Sequence, residues 1–327
     1  YRFFTVDEYQ DISPLQQALL ETWLGERDEL CVVGDPRQTI YSFAGASSEF
    51  LLGFAERFPE ANVVELDRNY RSSQEIVSLA NRIAPNSPLV AVRQLSARPS
   101  VVGHSSAASE SAAIGQQIED LASSRPLRSI AVLARTNSQL GLIEKELGKR
   151  GIESQLRGSG RFFKRPEVMQ SYTAIRALKT VESKEPLFAE VSKILSALGW
   201  TSKRQSSASW EALNWFVEVL DGLGEASLDE YLRELDDWER SGHEPQREAV
   251  TLATIHATKG LEWESVFILG VNQGIFPIGY AQSEAEKAEE RRLFYVAVTR
   301  AQSLLQISYS KDKGPSEFIA LVDNHNS

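Results

Sequence analysis

Short apolar runs alternate along this chain with segments of helical periodicity, and no other feature of the sequence constrains the fold as much. In the first part of the chain, strand patterns and helical patterns take turns at 3–6, 14–24, 30–33, 49–58, 63–66 and 73–83. Strands that are separated by helices are joined by crossover connections, which place the strands in a parallel sheet. We therefore predict an α/β protein whose ligands lie at the carboxyl ends of the strands.

The same alternation returns after a linker at 84–100 that contains three prolines, and a helical block of about 75 residues interrupts it. Later strand patterns lie at 101–104, 130–134, 249–255, 266–269 and 304–309, with helical patterns at 108–123, 139–148 and 283–300. We predict two parallel-sheet lobes, the second of which carries a small all-helical insertion. The predicted segments are the rear part of a first lobe at 1–84, the second lobe at 85–168 and 248–327, and the insertion at 169–247.

The composition is that of an ordinary globular chain and excludes several classes of protein. Hydrophobic residues make up 42% and charged residues 24% of the 327 residues. No apolar run approaches the roughly 18 to 20 residues that cross a bilayer, and the single cysteine, Cys31, excludes an internal disulfide or a cysteine zinc cluster. We expect a cytoplasmic protein with no membrane partner. The net charge of −10 still allows a local basic groove.

Polar side chains follow each of the first three strand patterns. Asp7 and Glu8 come after the first, and two adjacent carboxylates there suit Mg²⁺ and an attacking water. Gln38 follows the second strand pattern, where a neutral amide can report on a terminal phosphate. Tyr70 and Arg71 follow the third, with a ring face for a purine and a guanidinium for a phosphate. Each signal taken alone is also typical of a cap, a turn or a surface ion pair.

Two aromatic segments are candidate nucleic-acid contacts. Tyr41 and Phe43 stand at alternate positions after Gln38, and such rings can stack on bases at roughly 1 to 3 kcal/mol each. The basic and aromatic run RFFKR at 161–165 is the other candidate. Both segments also have a structural interpretation, in which the rings belong to a core and the charges to its rim.

The second lobe repeats the pattern of polar residues at the ends of its elements. His256 follows the strand pattern at 249–255, and Arg300 lies in the last turn of the helical pattern at 283–300. Arg292, Val296 and Arg300 are spaced at four and share one helix face. The helix dipole favours an arginine in a last turn in any case, and a lone histidine is usually structural.

Five segments in one order carry more information than any of these residues alone. They read VDEYQD at 6–11, VGDPRQTIYSFAGA at 33–46, NYRSS at 69–73, TIHATKGLE at 254–262 and ERRLFYVAVTRA at 290–301. This set resembles motifs II to VI of superfamily 1 DNA helicases, specifically the UvrD/Rep/PcrA group. The resemblance covers both lobes and is weak or absent in the helical insertion.

The resemblance implies two RecA-like lobes, the first incomplete, and an ATP-dependent helicase or translocase that moves 3′ to 5′ along DNA. The implied cofactors are ATP and Mg²⁺. The implied partners are single-stranded DNA and junctions of single-stranded with duplex DNA, repair or replication proteins being further candidates. The implied location is the cytoplasm, in association with the nucleoid.

The resemblance also assigns roles to single positions. On the nucleotide side it implies Mg²⁺ binding by Asp7 with Glu8, water activation by Glu8, γ-phosphate sensing by Gln38, adenine stacking by Tyr70, a γ-phosphate clamp of Arg71 and Arg300, nucleotide binding at Gly260 and a ribose contact at Glu262. On the DNA side it implies contacts by Tyr41, Phe43, Arg135, Asn137, Thr254 and His256.

Three departures from the family pattern qualify these roles. Phe43 stands where relatives usually carry tryptophan and Ala44 where many carry arginine. The stacking pocket should therefore bind a base more weakly, or use a further residue from elsewhere in the chain. The phosphate-binding loop GxxxxGK[ST] does not occur in the sequence. We therefore expect an N-terminally truncated helicase whose present chain hydrolyses no ATP by itself.

Two alternatives remain open at this stage. The chain could belong to the helicase subunit of a recombination helicase–nuclease, which shares these motifs. It could also be a non-catalytic module that binds DNA or a protein partner and has retained the motifs without the loop. For the acidic helical block we expect ordinary helix packing, with a contact to duplex DNA or to a partner as the alternative.

Overall fold

The computed structural model describes residues 3–86, 88–94, 96–157, 162–180, 185–203, 205, 207–241 and 247–323. The chain divides into two compact units. Unit 1 comprises Tyr1–Ile152 and Leu252–Ser327, and unit 2 comprises Glu153–Thr251. Among the helices of the described ranges, none has the length and apolar character needed to cross a membrane.

The order of elements follows most of the predicted alternation, but a strand at Val90–Arg93 lies within the predicted linker at 84–100. The strands are β1 (Phe4–Val6), β2 (Leu30–Val32), β3 (Arg68–Ser73), β4 (Val90–Arg93), β5 (Ser100–His104), β6 (Ile130–Ala134), β7 (Ser154–Leu156), β8 (Val250–Thr254), β9 (Trp263–Ile268) and β10 (Ala301–Ser310). The helices are α1 (Pro14–Leu24), α2 (Glu49–Leu52), α3 (Phe54–Arg57), α4 (Gln74–Ile83), α5 (Ala107–Ala122), α6 (Asn137–Lys149), α7 (Pro166–Ala177), α8 (Leu187–Ala197), α9 (Ala208–Leu223), α10 (Leu228–Ser241), α11 (Glu284–Thr299) and α12 (Ile319–Asp323).

The strands form parallel sheets, which confirms the predicted α/β class. The largest sheet has six strands in the order β5-β10-β9-β6-β8-β7. In it β10 is parallel to both β5 and β9, and β9 is parallel to β6. Two smaller parallel pairs join β1 to β2, with Val6 opposite Val32, and β3 to β4, with Asn69 opposite Ala91.

One continuous apolar core holds unit 1 together. Every residue of β6 is buried, as expected for a strand covered on both faces of a parallel sheet. The stretch Leu293–Val298 in α11 is buried on all sides and belongs to the same cluster as Ile40, Ile76 and residues of β6 and β9. The early segment of unit 1 (Tyr1–Ile152) and its late segment (Leu252–Ser327) therefore share a core.

Capping residues in the sequence mark the starts of two predicted helices, α1 and α11. Ser13 caps α1 and Ser283 caps α11, each in a capping box that satisfies two backbone N–H groups. Arg300 follows Thr299 as the C-terminal cap of α11.

Two of the predicted elements are wrong. No strand forms at 63–66, where Val63, Val64 and Leu66 are exposed, and the third strand is β3 instead. Among the described residues, β4 pairs with 68–73 and not with the earlier apolar run. Asn69, Tyr70 and Arg71 consequently lie within that strand and not after it. The helix predicted at 49–58 is broken into two four-residue helices at Gly53.

Unit 2 is mainly helical, and it has its own core. Helices α7 to α10 surround a cluster that includes Ile175, Leu195, Phe216, Tyr231 and Leu235. Burial raises the pKa of Tyr231, whose hydroxyl donates to the carbonyl of Phe216 at 2.7 Å. The amphipathic pattern of α10 therefore reflects ordinary packing on its apolar side.

Candidate functional site

Asp7 and Glu8 lie at the end of β1, and both side chains are exposed. Glu8 has φ 52° and ψ 38°, and no other non-glycine residue in the described ranges has a positive φ. The Glu8 N–H donates to Oδ1 of Asp7 at 2.8 Å. A left-handed conformation costs a non-glycine residue roughly 1 to 3 kcal/mol and is concentrated at functional sites. The carboxylate pair therefore marks this turn as a candidate reaction centre.

Lys259 links these carboxylates to the late segment of unit 1. Its Nζ lies 3.1 Å from Oε2 of Glu8 and also forms an ion pair with Asp11. The side chain of Lys259 is only 10% exposed. Burial raises the pKa of Asp11, while the neighbouring ammonium group opposes that rise. Neither Lys259 nor Asp11 was predicted as a site residue, although both lie inside the motif segments.

Gln38 bridges the two segments at a second point. Its Nε2 donates to Oδ2 of Asp35 at 3.0 Å, and its Oε1 accepts from Nη2 of Arg300 at 3.3 Å. Gln10 extends this network, because its Nε2 donates to Oε2 of Glu8 at 2.6 Å and its Oε1 accepts from the Asp35 N–H at 3.0 Å. A Cβ at Gly34 would lie 2.5 Å from that Oε1, so glycine allows the approach of Gln10.

Arg300 is 2% exposed and is among the largest fully buried side chains. Its Nε donates to the Val296 carbonyl at 3.1 Å and its Nη1 to the Leu261 carbonyl at 3.0 Å. Burial lowers the pKa of Arg300 to about 10, and the positive charge of Arg71 adds to the shift. The guanidinium remains protonated at neutral pH, and neutral oxygens are its hydrogen-bond partners among the described residues. Such a group favours the approach of an anion.

The remaining residues predicted to bind the nucleotide lie in both segments of unit 1, Tyr70 and Arg71 in the early one and Gly260 and Glu262 in the late one. Arg71 forms an ion pair with Glu262, whose Oε1 also accepts from Nε2 of Gln302 at 2.8 Å. Tyr70 is 66% exposed, which leaves its ring face open to a planar ligand. Gly260 has φ 78°, a conformation that glycine adopts without strain. In this state Arg71 already has an anionic partner.

The predicted stacking rings form a small aromatic cluster. The centroid of Phe43 lies 6.0 Å from that of Tyr41 and 5.8 Å from that of His256. The Tyr41 hydroxyl donates to the His256 carbonyl at 2.9 Å, whereas the ring of Phe43 is 77% exposed. Phe43 is therefore the ring most available to an incoming base.

Arg135 lies in an ion pair that the sequence did not predict. Its Nε donates to Oε1 and Oε2 of Glu290 at 3.0 and 3.1 Å, and its Nη2 donates to Oε1 at 2.7 Å. Glu290 also accepts from the Ile278 N–H at 3.0 Å. Burial lowers the pKa of His256 to about 4, and Arg135 adds to this shift while Glu290 opposes it. The imidazole is therefore neutral at pH 7.

Two other predicted DNA contacts lie at the ends of elements. Asn137 is exposed at the start of α6, and Thr254 is half-buried at the end of β8. In unit 2, Arg161 lies outside the described residues, while the rings of Phe162 and Phe163 stack edge-to-face on Trp215. That packing matches the structural interpretation of this run.

The carboxylates at the end of β1 can bind a divalent cation only if a phosphate and water supply the remaining ligands. Within the described residues, no three or more His, Cys, Asp or Glu side chains form a group that could hold a metal ion. Magnesium is usually held by one or two carboxylates, with phosphate oxygens and waters completing its octahedron. Exposed Asp7, at the carboxyl end of a parallel strand, fits that role.

The structure brings three of the predicted nucleotide residues into one network, in which Gln10 and Asp35 join Glu8, Gln38 and Arg300. Arg71 and Glu262 form a separate ion pair, and Glu262 directly follows Leu261, whose carbonyl accepts from Arg300. The sequence missed the residues around this network, which are Gln10, Asp11, Asp35 and Lys259, and it missed Glu290, the partner of Arg135. All five lie in the motif segments, and their position there was the only signal available.

Comparison with known proteins adds an independent finding. A family model described as “UvrD-like helicase C-terminal domain” matches residues 64–184 and 172–312. A second, described as “UvrD/REP helicase N-terminal domain”, matches residues 1–59.

Three curated relatives show the same likeness. “ATP-dependent DNA helicase UvrD2” of Mycobacterium bovis is 40% identical over 337 residues, which cover 96% of this chain and 48% of the relative. “ATP-dependent DNA helicase PcrA” of Bacillus subtilis is 26% identical, covering 95% of this chain and 55% of the relative. “ATP-dependent DNA helicase Rep” of Escherichia coli is also 26% identical, with 95% and 60% covered. The chain thus spans about half the length of the curated relatives it matches.

Proposed function

Because the chain belongs to the UvrD-like helicase family, we propose that it works in an ATP-dependent DNA helicase or translocase that moves 3′ to 5′. We further propose that it contributes the rear part of a first RecA-like lobe at 1–84 and a second lobe at 85–168 and 248–327. The helical segment at 169–247 takes the place of an accessory subdomain. The protein would act in the cytoplasm, associated with the nucleoid.

One observation supports this proposal more than any other. The amide of Gln38 lies between Asp35 and the buried guanidinium of Arg300, at 3.0 and 3.3 Å. A neutral amide beside a buried cation is a suitable sensor, because an arriving phosphate would change the partners of both groups. Glu8 belongs to the same network through Gln10.

On the nucleotide side, each residue has a chemical task. Asp7 would bind Mg²⁺, and Glu8 would accept a proton from the water that attacks the γ-phosphorus and releases ADP. Arg71 and Arg300 would stabilise negative charge on the transferred group. An arginine in this position is worth about 10³ to 10⁵ in rate, or roughly 4 to 7 kcal/mol of barrier.

Nucleotide binding would also rearrange the Arg71–Glu262 ion pair. We propose that Glu262 exchanges its guanidinium partner for a ribose hydroxyl, which frees Arg71 for the phosphate. Tyr70 would stack on adenine, and Gly260 would let the backbone approach the nucleotide. The chain contains no GxxxxGK[ST] loop, and we expect no hydrolysis by this chain alone.

On the DNA side, rings and polar groups would hold a single strand. The proposed contacts are Tyr41, Phe43, Arg135, Asn137, Thr254 and His256. A ring-on-base contact is worth roughly 1 to 3 kcal/mol, comparable to the mean stacking of about 1.4 kcal/mol lost per base-pair step. Advance by single nucleotides at a junction of single-stranded and duplex DNA is therefore energetically reasonable.

The test is the substitution Glu8→Gln in the protein that carries this chain. We expect DNA-stimulated ATP hydrolysis to fall by about 10² to 10⁴, the typical contribution of general-base catalysis, while ATP still binds. Glu49→Gln, at an exposed glutamate that begins α2, is the matched control. Hydrolysis retained in Glu8→Gln would remove that residue from its proposed role, and a wild-type protein that never hydrolyses ATP would refute the enzymatic function.

A further inference from the structure

Two residues of α11 contact the backbone of the segment 39–42. Nε of Arg292 donates to the Thr39 carbonyl at 2.7 Å. Oε1 of Glu289 accepts from the Ser42 N–H at 3.0 Å. Glu289 and Arg292 are three residues apart and so neighbours on the helix surface. We call these two contacts the α11 clamp.

The clamp encloses residues that are fixed to the same part of the molecule by other means. Ile40 is completely buried in the core cluster that contains Leu293–Val298 of α11. The Tyr41 hydroxyl donates to the His256 carbonyl. The segment 39–42 is therefore attached to α11 and to the turn at His256, although it follows β2 in the chain.

Arg292 has an unusual environment for a residue with only a packing role. Its side chain is half-buried, and the acceptor of its hydrogen bond is a neutral carbonyl. Burial lowers the pKa of Arg292, and the nearby carboxylate of Glu289 opposes the shift. Burying a charge in this way is costly, whereas an apolar residue at the position would be cheap. The guanidinium of Arg292 fixes the position of the Thr39 carbonyl through this hydrogen bond.

The segment 39–42 also lies between two groups of the proposed site. Gln38 precedes it and contacts Arg300, the C-terminal cap of α11, while the exposed ring of Phe43 follows it. One helix thus holds both Gln38, through Arg300, and the next four residues, through the clamp.

We propose that Arg292 and Glu289 are positioning residues that make the segment 39–42 move with α11. When the Gln38–Arg300 contact changes, α11 and the segment 39–42 therefore move together, and this movement displaces the rings of Tyr41 and Phe43. The inference rests on the proposed function, because it names the residues that join its nucleotide and DNA sides. It needs neither residue to touch ATP or DNA.

The clamp itself is tested without ATP, by amide hydrogen exchange. In Glu289→Ala the Ser42 amide loses its acceptor, and we expect its exchange to accelerate about tenfold. Glu289→Gln keeps an acceptor oxygen and should exchange like the wild type. Arg292→Gln should accelerate exchange across 40–44, whereas Arg291→Gln, on the exposed side of α11, should not. Unchanged exchange in both Glu289→Ala and Arg292→Gln would overturn the clamp.

The coupling is tested by the ratio of DNA-stimulated to basal ATP hydrolysis. We expect this ratio to fall at least tenfold in Arg292→Gln and Glu289→Ala, and to be retained in Glu289→Gln and Arg291→Gln. A merely structural defect would lower both rates together and lower the melting temperature. An unchanged ratio despite faster exchange would overturn the coupling role. A wild-type protein with no hydrolysis refutes the proposed function and the coupling with it, while the exchange result still decides the clamp.

Discussion

Removing Arg135 should leave the buried carboxylate of Glu290 without its ion-pair partner and destabilise unit 1. The side chains of Arg135 and Glu290 are only 13% and 6% exposed, and three hydrogen bonds join them. Breaking one partner of a buried pair typically costs about 3 to 5 kcal/mol, because the other charge remains without compensation. The Arg135→Met substitution keeps most of the side-chain volume, so this loss should come from the charge and not from a cavity.

The double substitution Arg135→Met with Glu290→Gln separates the charge effect from the rest. The glutamine is neutral and still accepts from the Ile278 N–H, which lies 3.0 Å from Oε2 in the wild type. We therefore expect the double variant to recover more than half of the stability lost in Arg135→Met. A control at exposed Arg291 should change stability by less than about 0.5 kcal/mol.

The measurement is urea unfolding of the four proteins, supported by thermal melts. A loss of about 3 to 5 kcal/mol corresponds to about 6 to 20 °C, taking about 2 to 4 °C per kcal/mol for a domain of about 150 to 250 residues. The reasoning fails if Arg135→Met costs under about 1 kcal/mol, or if the double variant is no more stable than the single one.

Two further predictions concern the aromatic cluster. Phe43→Ala should weaken single-stranded DNA binding by about 5- to 150-fold, the equivalent of one ring-on-base contact, and Phe43→Trp should strengthen it. Because the Phe43 ring is 77% exposed, neither change should lower the melting temperature, and equal DNA affinities by fluorescence anisotropy would contradict the stacking role. Burial lowers the pKa of His256 from 6.5 to about 4, so between these pH values the unfolded chain takes up a proton that the folded protein does not. Stability should therefore fall by up to about 3 kcal/mol as the pH drops from 6.5 to 4, and the fall should be smaller by that amount in His256→Gln.

The sequence by itself predicted the parallel α/β architecture and most of the element boundaries. Apolar periodicity and capping residues act within a few positions of one another, which is why α1 begins after Ser13, α11 begins after Ser283 and β6 spans 130–134 as predicted. The order of the five motif segments also identified the family. These signals are local, or are comparisons of residue order, and need no knowledge of tertiary contacts.

Only the tertiary structure decided which residues meet. The apolar run at 63–66 has the composition of a strand, but β4 pairs with the six residues that begin at Arg68. The ion pair of Arg135 joins residues 155 positions apart, and the hydrogen bond from Arg292 to the Thr39 carbonyl joins residues 253 positions apart. These partners meet because the shared core packs α11 against the early segment. Sequence periodicity reports which face of an element is buried, and it carries no information on which distant residue will contact that face.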